Sequence, residues 1–501
     1  MVDIDLNEIP NKGLWLEAAK KVAEHPDDDK SWLSFINLTE YLPSIKQKNK
    51  IEVNFFSKRA EKQLVILAYE NFLINFPFRE IQWVQYAQWH FKFSNLNKSI
   101  ATFERALKIL PHSLIIWNSY LDLILETNFD KDDVLYHFER ARMMISYHYR
   151  SSSFFDKYLK FLKDNSLDKE QHLLLRRIIE LPLHEYLKYF QQFLLLIENA
   201  NLDTIKFLIS RKDLETDFNL TWIDLLDEKK FYKLRTDLRK KFTDVFITTQ
   251  YNAYKFYEFE KRIKIQENQS GNLNRLQLLN WKSYIEYVEN LNLKGVNKEK
   301  EISLIKNNTL HIDMLYSRCL TVTSSYQYFW IKYANYYLNY NDFEAAEKIL
   351  LRGIYMNPVT NFKLRLRLID IYILSRDLAK GKALILELLL LFPDNLQFFC
   401  KLVEIEHFLN PQGVEEMIVN KLKEVQGKRN LALEEEFDYL FLELLKYSSI
   451  SITRISSIFE RFKDKKSYFY VKAFTQFNKY YNVKHYNEAT KIPEGWLCEY
   501  F

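Results

Sequence analysis

Prolines punctuate this chain at a fixed distance from large rings. Pro26 is followed six residues later by Trp32, Pro77 by Trp83 and Pro111 by Trp117, and Pro358 and Pro393 keep the offset to Leu364 and Phe399. Pro77 and Pro111 lie 34 residues apart, Pro358 and Pro393 lie 35. Each anchor opens a ladder: Trp83, Tyr86, Trp89; Trp117, Tyr120; Trp281, Tyr284, Tyr287; Trp330, Tyr333 and then Tyr336 or Tyr337. Spacings of three and four put such rings on one face of a helix. A sustained period of this length is the signature of a helical-pair repeat, and it restricts the fold more than any bulk property.

A second helix follows in each unit. Ile100, Phe103-Glu104-Arg105-Ala106 and Leu107 recur 35 residues on as Leu135 and Phe138-Glu139-Arg140-Ala141. Later versions are Leu315-Tyr316-Ser317-Arg318-Cys319 and Ile458-Phe459-Glu460-Arg461. The first helix offers large rings and the second a small Ala or Cys, so the two are expected to interlock as large into small. Proline ends one pair and opens the next, because it cannot continue a helix but fits its first turn. One pair cannot bury its own apolar face, so pairs must stack.

Composition agrees with this reading. The chain has 8 Gly and 10 Pro in 501 residues, where average usage would give roughly 35 and 25. Hairpins and phosphate loops rely on glycine for positive φ, so most β-rich and dinucleotide-binding folds are ruled out. The expected fold is all-α: an α-solenoid of helical pairs in two arrays. The rhythm fails around 201–250, which reads as a few long helices, and stretches between Trp281 and Trp330. The excess there, Asn290 to Asn308, reads as a polar surface insertion, and Gln266 to Asn274 as a loop. The expected organisation is an N-terminal array over 1–200, a helical connector over 201–250, a C-terminal array over 251–466 and a tail over 467–501.

Signals for chemistry are sparse. The closest two glycines, Gly413 and Gly427, are fourteen residues apart, which excludes phosphate-loop spacing. His184-Glu185 lacks the second histidine of a zinc-protease helix. Asp27-Asp28-Asp29 and Glu434-Glu435-Glu436 read as a solvated loop and a helix start. Cys319, Cys400 and Cys498 are too scattered for a zinc knuckle or disulfide framework, read as packed small residues, and imply a reducing compartment. No catalytic residue, cofactor site or metal site is expected. The formal charge of +5 announces no nucleic-acid binder. The start, Met1-Val2-Asp3-Ile4-Asp5, lacks a signal peptide's features, and the longest apolar run, Ala383 to Phe392, is interrupted by Glu387 and far too short to span a bilayer. The expectation is a soluble intracellular protein that does not engage membrane.

One basic segment stands out. Phe231, Leu234, Leu238, Phe242 and Val245 form an apolar helical stripe; Lys229, Lys230, Lys233, Lys240 and Lys241 fall opposite it, with Arg235 and Arg239 flanking. These lysines are either the wet side of an amphipathic helix or a patch for a polyanion or acidic partner. Exposed rings for base stacking are not expected, because the ladder rings belong to the core.

The first helix with Trp-x-x-Tyr and the second with Phe-Glu-Arg-Ala resemble half-a-tetratricopeptide (HAT) repeats; the Leu-Gly of tetratricopeptide repeats is missing. Within HAT proteins, Gln277-Leu278-Leu279-Asn280-Trp281-Lys282-Ser283-Tyr284-Ile285-Glu286, Arg318-Cys319 and Phe329-Trp330-Ile331-Lys332-Tyr333-Ala334 resemble the family of pre-mRNA-processing factors 39 and 42. Tyr69-Glu70-Asn71-Phe72-Leu73, Phe76-Pro77, Trp83, Tyr86-Ala87 and Ile179-Glu180-Leu181-Pro182-Leu183-His184 agree. The resemblance covers most of 60–410. The 290–308 segment is longer than the family pattern, and an end without the long C-terminal extension of some fungal factor 39 members leans towards factor 42.

The resemblance implies a nuclear, non-catalytic scaffold of the U1 snRNP. It implies contacts with U1 snRNP proteins, support of 5′ splice-site recognition and early spliceosome assembly, and indirect or weak RNA contact. It also implies a dimer through the C-terminal array, with a second copy or a paralogous HAT protein. Other HAT scaffolds, such as the 3′-end cleavage factor or Crooked-neck-like proteins, are the alternative. Prenyltransferase α-subunits are remote, since their repeats place Tyr before Trp and Arg in the first helix.

Overall fold

The structure, a computed structural model, describes residues 12–43, 50–128, 130–263, 273–296 and 302–428. These fall into two compact units, one within 1–323 and one within 324–501. The first begins with α1 (Lys12–Glu24), α2 (Asp29–Glu40), an antiparallel pair of short strands β1 (Tyr41–Pro43) and β2 (Lys50–Glu52), and α3 (Arg59–Asn75). Helical pairs follow: α4 (Glu80–Lys92) with α5 (Leu96–Ile109), α6 (Leu114–Thr127) with α7 (Lys131–Ile145), and α8 (Ser152–Asp164) with α9 (Asp168–Ile178). Next come α10 (Tyr186–Glu198), the short α11 (Leu202–Leu208) and α12 (Arg211–Phe218), α13 (Glu228–Arg262), α14 (Arg275–Val296) and α15 (Ile302–Thr323). The second unit stacks α16 (Gln327–Leu338) with α17 (Phe343–Met356), α18 (Lys363–Leu374) with α19 (Leu378–Leu391), and α20 (Leu396–Leu409) with α21 (Val414–Gly427).

The fixed proline–tryptophan offset has a specific cause. The indole N–H of Trp32 donates to the carbonyl of Pro26 at 2.9 Å, Trp83 to Pro77 at 2.9 Å and Trp117 to Pro111 at 2.8 Å. Trp330 makes the same bond to Ser324 at 2.8 Å. The offset, not proline itself, is therefore what the bond requires: a ring one turn into the helix reaches back to the turn before it. The buried indole N–H is satisfied and the angle between successive pairs is fixed.

The large-into-small expectation is visible at Gly353, which stands 23 residues after Trp330 just as Ala106 stands 23 after Trp83. A Cβ at Gly353 would lie 2.9 Å from Cγ and Cδ2 of Trp330. Ala106, Ala141 and Cys319, at the matching motif position, are fully buried. All nine repeat anchors — Trp32, Trp83, Tyr86, Trp117, Tyr120, Trp281, Tyr284, Trp330 and Tyr333 — lie in the core.

The all-α class holds, with one short antiparallel strand pair, β1 with β2, as its exception among the described residues. Several expectations need correction. The expected insertion at 290–308 is mostly helix, since α14 runs on to Val296 and α15 starts at Ile302. The 201–250 stretch holds two short helices, and its one long helix, the 35-residue α13, passes beyond residue 250. Asp27–Asp29 is no solvated loop: Asp28 caps α2 by accepting from the Lys30 and Ser31 amides, and buried Asp29 pairs with Arg79. The acidic run 434–436, the motif at 458–461, Cys498, the loop centre at 266–272 and the tail lie outside the described residues.

Tight turns are also made without glycine. Ser94, Ser166, Asn341 and Arg376 take positive φ of 55°, 55°, 59° and 63° between paired helices. In each, the next amide reaches five residues back: Asn95 to His90, Leu167 to Leu162, Asp342 to Tyr337, Asp377 to Tyr372. This is the Schellman closure that glycine usually serves.

Two substitutions probe these devices by urea denaturation. Gly353→Ala should destabilise the protein by about 1–3 kcal/mol, because its methyl group overpacks the Trp330 ring. Arg376→Gly should be neutral or stabilise by up to about 1 kcal/mol, because it relieves an L-residue from the left-handed region. A stabilising Gly353→Ala or a clearly destabilising Arg376→Gly contradicts the respective reading.

Candidate functional site

Successive pairs of the first unit are joined by a recurring polar cluster. Glu70 accepts from the Tyr86 hydroxyl at 2.8 Å and from both Arg105 nitrogens at 3.0 and 2.7 Å. One repeat on, Glu104 accepts from Tyr120 at 2.9 Å and from Arg140 at 2.5 and 2.7 Å. The pattern returns at Glu260, which accepts from Tyr284 at 3.2 Å and Arg318 at 2.7 and 2.9 Å. Each arginine also lies over a ring: Arg105 over Trp83, Arg140 over Trp117, Arg318 over Trp281. The Glu and Arg of the second-helix motif thus point to different neighbours, one forward and one back. The first two clusters are half-exposed, whereas Arg318 and Glu260 are buried.

The electrostatics follow. Hydrogen bonds from Arg140 hold the Glu104 carboxyl below its ordinary range against the opposing effect of burial. Burial alone would raise the Glu260 carboxyl, but the Arg318 guanidinium and the Tyr284 hydroxyl hold it low. Glu70 is held low in the same way by Arg105 and Tyr86. Burial pushes the Cys319 thiol up to about 12, which makes it a packed residue rather than a nucleophile.

The basic segment occupies the first half of α13. Lys230 pairs with Asp224 at 2.7 Å, Lys240 with Asp237 at 3.4 Å and Lys241 with Asp217. Arg239 pairs with Glu198 at 2.9 Å, and Arg235 donates to the Ala200 carbonyl while lying over Phe231. Lys229 and Lys233 alone of the five lysines are exposed without an ion pair among the described residues. Neighbouring carboxylates thus neutralise most of the patch. Contrary to the expectation of no exposed rings, α13 does expose Tyr232, Tyr251 and Tyr254.

The second unit carries a surface that sequence reasoning missed. Aligned by their 35-residue offset, α17 and α19 place Leu351 with Leu386 and Tyr355 with Leu390. All four are exposed, Leu390 to 85%, while the paired Leu350 and Ile385 are fully buried. Leu351 occupies the position that Glu104 holds in α5, two residues before the small residue. Where the first unit presents a ladder carboxylate, the second presents leucine. The offset itself was the signal that could have revealed this.

Among the described residues, no three His, Cys, Asp or Glu side chains gather as a metal site, and no helix is long and apolar enough to cross a membrane. Stacked pairs with interdigitated rings and ladder carboxylates define a HAT-type α-solenoid. The matches to known proteins narrow this further. Residues 17–194 match the PRP39 N-terminal HAT repeat and 254–407 the PRP39 C-terminal HAT repeat, so the chain belongs to the PRP39 HAT-repeat family. It is 24% identical over 335 residues to pre-mRNA-processing factor 39 of Schizosaccharomyces pombe, covering 64% of this chain and 51% of that protein. It is 26% identical over 343 residues to the U1 small nuclear ribonucleoprotein component PRP42 of Saccharomyces cerevisiae, covering 64% and 59%. The chain thus spans about half the length of the curated relatives it matches. Among solved structures, the crystal structure of CSTF-77 is similar at a TM-score of 0.41 and 13% identity, over 82% of this chain and 87% of that one.

Acid should unfold this chain in two overlapping stages. Burial pushes the His90 and His311 imidazoles down to about 4 and His148 well below its ordinary value. These rings stay neutral in the fold while the unfolded chain takes up protons below about pH 6.5, so their contribution is full above that value and is lost as pH falls towards 4. The depressed ladder carboxylates stabilise the fold above about pH 4.5, and that contribution is lost as pH falls through their folded values. Urea midpoints should therefore fall from near pH 6.5 downward. His90→Gln should flatten the upper stage and Glu104→Gln the lower. A midpoint that rises on acidification contradicts both.

Proposed function

We propose that this chain is a non-catalytic scaffold of the U1 snRNP in nuclear pre-mRNA splicing, supporting 5′ splice-site recognition and early spliceosome assembly through protein–protein contacts. The observation that carries this reading is the paired match of the first and second segments to the two PRP39 HAT-repeat models. The names of the relatives, pre-mRNA-processing factor 39 and a U1 snRNP component, supply the assembly. A stack of helical pairs offers long surfaces for partners, and such surfaces need no catalytic group. RNA contact is indirect or weak in this reading, in keeping with lysines on α13 that are largely ion-paired.

The C-terminal array, over 251–466, is the proposed dimerisation region, towards a second copy or a paralogous HAT protein. The exposed Leu351, Leu386 and Leu390 support this, because large apolar residues at repeat-equivalent positions gain by burial against a partner. Dimerisation would double the attachment points and raise avidity.

The test is a pull-down from nuclear extract with tagged full-length chain, reading U1 RNA and bound proteins, with light scattering for oligomeric state. The full chain should recover U1 RNA, and Leu386→Glu with Leu390→Glu should abolish the dimer and lower recovery several-fold. Recovery of 3′-end cleavage factors in place of U1 RNA would assign the chain to the other class of HAT scaffold. An unchanged dimer in the double variant would remove Leu386 and Leu390 from the interface.

A further inference from the structure

Where α7 turns into α8, a cleft of about 420 Å³ opens between that turn, the loop leading into α10 and the last turns of α13. Tyr149, Arg150, Ser152, His184, Tyr257 and Lys261 contribute to its lining. Two cations here form no ion pair among the described residues: Lys261, and Arg150, whose charge acts on Glu260 from a distance. The two lining carboxylates are already engaged, Glu260 by Arg318 and Tyr284, and Glu185 by Lys188 at 3.7 Å. Among the lining residues two cations face two carboxylates, but both carboxylates are held by cations from outside the cleft, which leaves Arg150 and Lys261 as its unpaired charges.

The 13-residue α8 begins at the same place. Its N-cap, Ser151, makes no side-chain capping bond, its hydroxyl donating instead to the Ser146 carbonyl at 3.3 Å. The Phe154 amide donates to the Ser151 carbonyl at 3.0 Å, which leaves the Ser152 and Ser153 amides of the first turn for an outside acceptor, at the positive end of the helix dipole. Ser152, 6% exposed and lining the cleft, has a hydroxyl with no hydrogen-bond partner. A buried donor of this kind calls for an acceptor.

Guanidinium, ammonium, hydroxyl and helix amides together suit a compact anion with several acceptor oxygens. A phosphate monoester carries about −1.5 to −2 charges and three such oxygens, more than a carboxylate can offer. The surroundings do not suit a nucleic-acid backbone, which needs a run of free cations. Lys157 is paired with Asp122 and Lys188 with Asp156, each at 2.6 Å, so neither cation is free to extend a phosphate track beyond the cleft. The Tyr149 and Tyr257 rings give the cleft apolar walls for the residues next to a phosphorylated side chain. We propose that this cleft receives a phosphoserine or phosphothreonine side chain of a partner protein. The inference stands on this geometry and not on the splicing reading.

The test uses the full chain and a fluorescein-labelled pentapeptide, Gly-Gly-phosphoserine-Gly-Gly, followed by anisotropy beside its unphosphorylated twin. The phosphopeptide should bind saturably, the twin at least about tenfold more weakly, and inorganic phosphate should compete where chloride at equal ionic strength does not. Arg150→Ala and Lys261→Ala should each weaken binding about tenfold, and Ser152→Ala measurably. Lys20→Ala, on α1, should leave it unchanged. Thermal melts identify any variant that fails to fold, and the remaining variants then decide. No saturable binding, equal binding of the twin, or indifference to all three cleft substitutions would overturn the proposal. Tighter, Arg150-dependent binding of a uridine 12-mer would overturn it in favour of an RNA backbone.

Discussion

Where a first helix carries a tryptophan, its indole is the member on which the neighbouring stack depends. Its N–H is tied to a carbonyl six residues earlier, at 2.8–2.9 Å in Trp32, Trp83, Trp117 and Trp330. One bond thereby fixes both the turn into the pair and the ring's position. The ring then meets the small residue of the second helix, and where that residue is Gly353 there is no room for a single added carbon. Close approach of the two helices follows from the size of that residue, and stacking of the next pair follows from the apolar face left over.

Polar bonds then set the register between pairs. A carboxylate such as Glu104 takes a hydroxyl from the next first helix and a bidentate arginine from the next second helix, so two elements are aligned by one acceptor. The half-exposed pairs add little energy by themselves, as surface ion pairs generally do. Their geometric demand is strong, because a fork of two N–H bonds tolerates little sliding. The buried version, Arg318 with Glu260, ties α15 to α13, and breaking it from one side alone would strand a charge in the core.

Much of this was legible in the chain. The proline–tryptophan offset, the 34-residue period and the small residue of the second helix named the pairs, their anchors and the family. The acceptor for each indole was not legible, because a carbonyl has no side-chain identity and Ser324 serves as well as a proline. Counting glycines misled in one respect: Ser94, Ser166, Asn341 and Arg376 close the same turn with positive φ. The 290–308 segment looked like an insertion because its polar composition masked helical continuation in α14 and α15. The cleft was invisible for another reason. Its residues come from 149–153, 184–185 and 257–261, and no local pattern joins stretches separated by 31 and 72 residues.

The distribution of charge and apolar surface differs along this HAT-repeat chain. A chain with a net charge of +5, and with most of its one basic cluster already neutralised, has little long-range field to gather nucleic acid indiscriminately. What it presents is short-range and differs between the units. The first unit offers paired charges along its repeats, with an arginine and a lysine beside one helix start that form no ion pair among the described residues. The second replaces the ladder carboxylate with Leu351 and Leu386. Paired charges reject an apolar partner, because covering them means losing water without gaining a new bond. Exposed leucines reject a charged one for the converse reason. A change at one motif position, Glu104 in α5 against Leu351 in α17, thus exchanges a charged surface position for an apolar one, and Leu386 repeats the exchange although Leu388 stands where a small residue would.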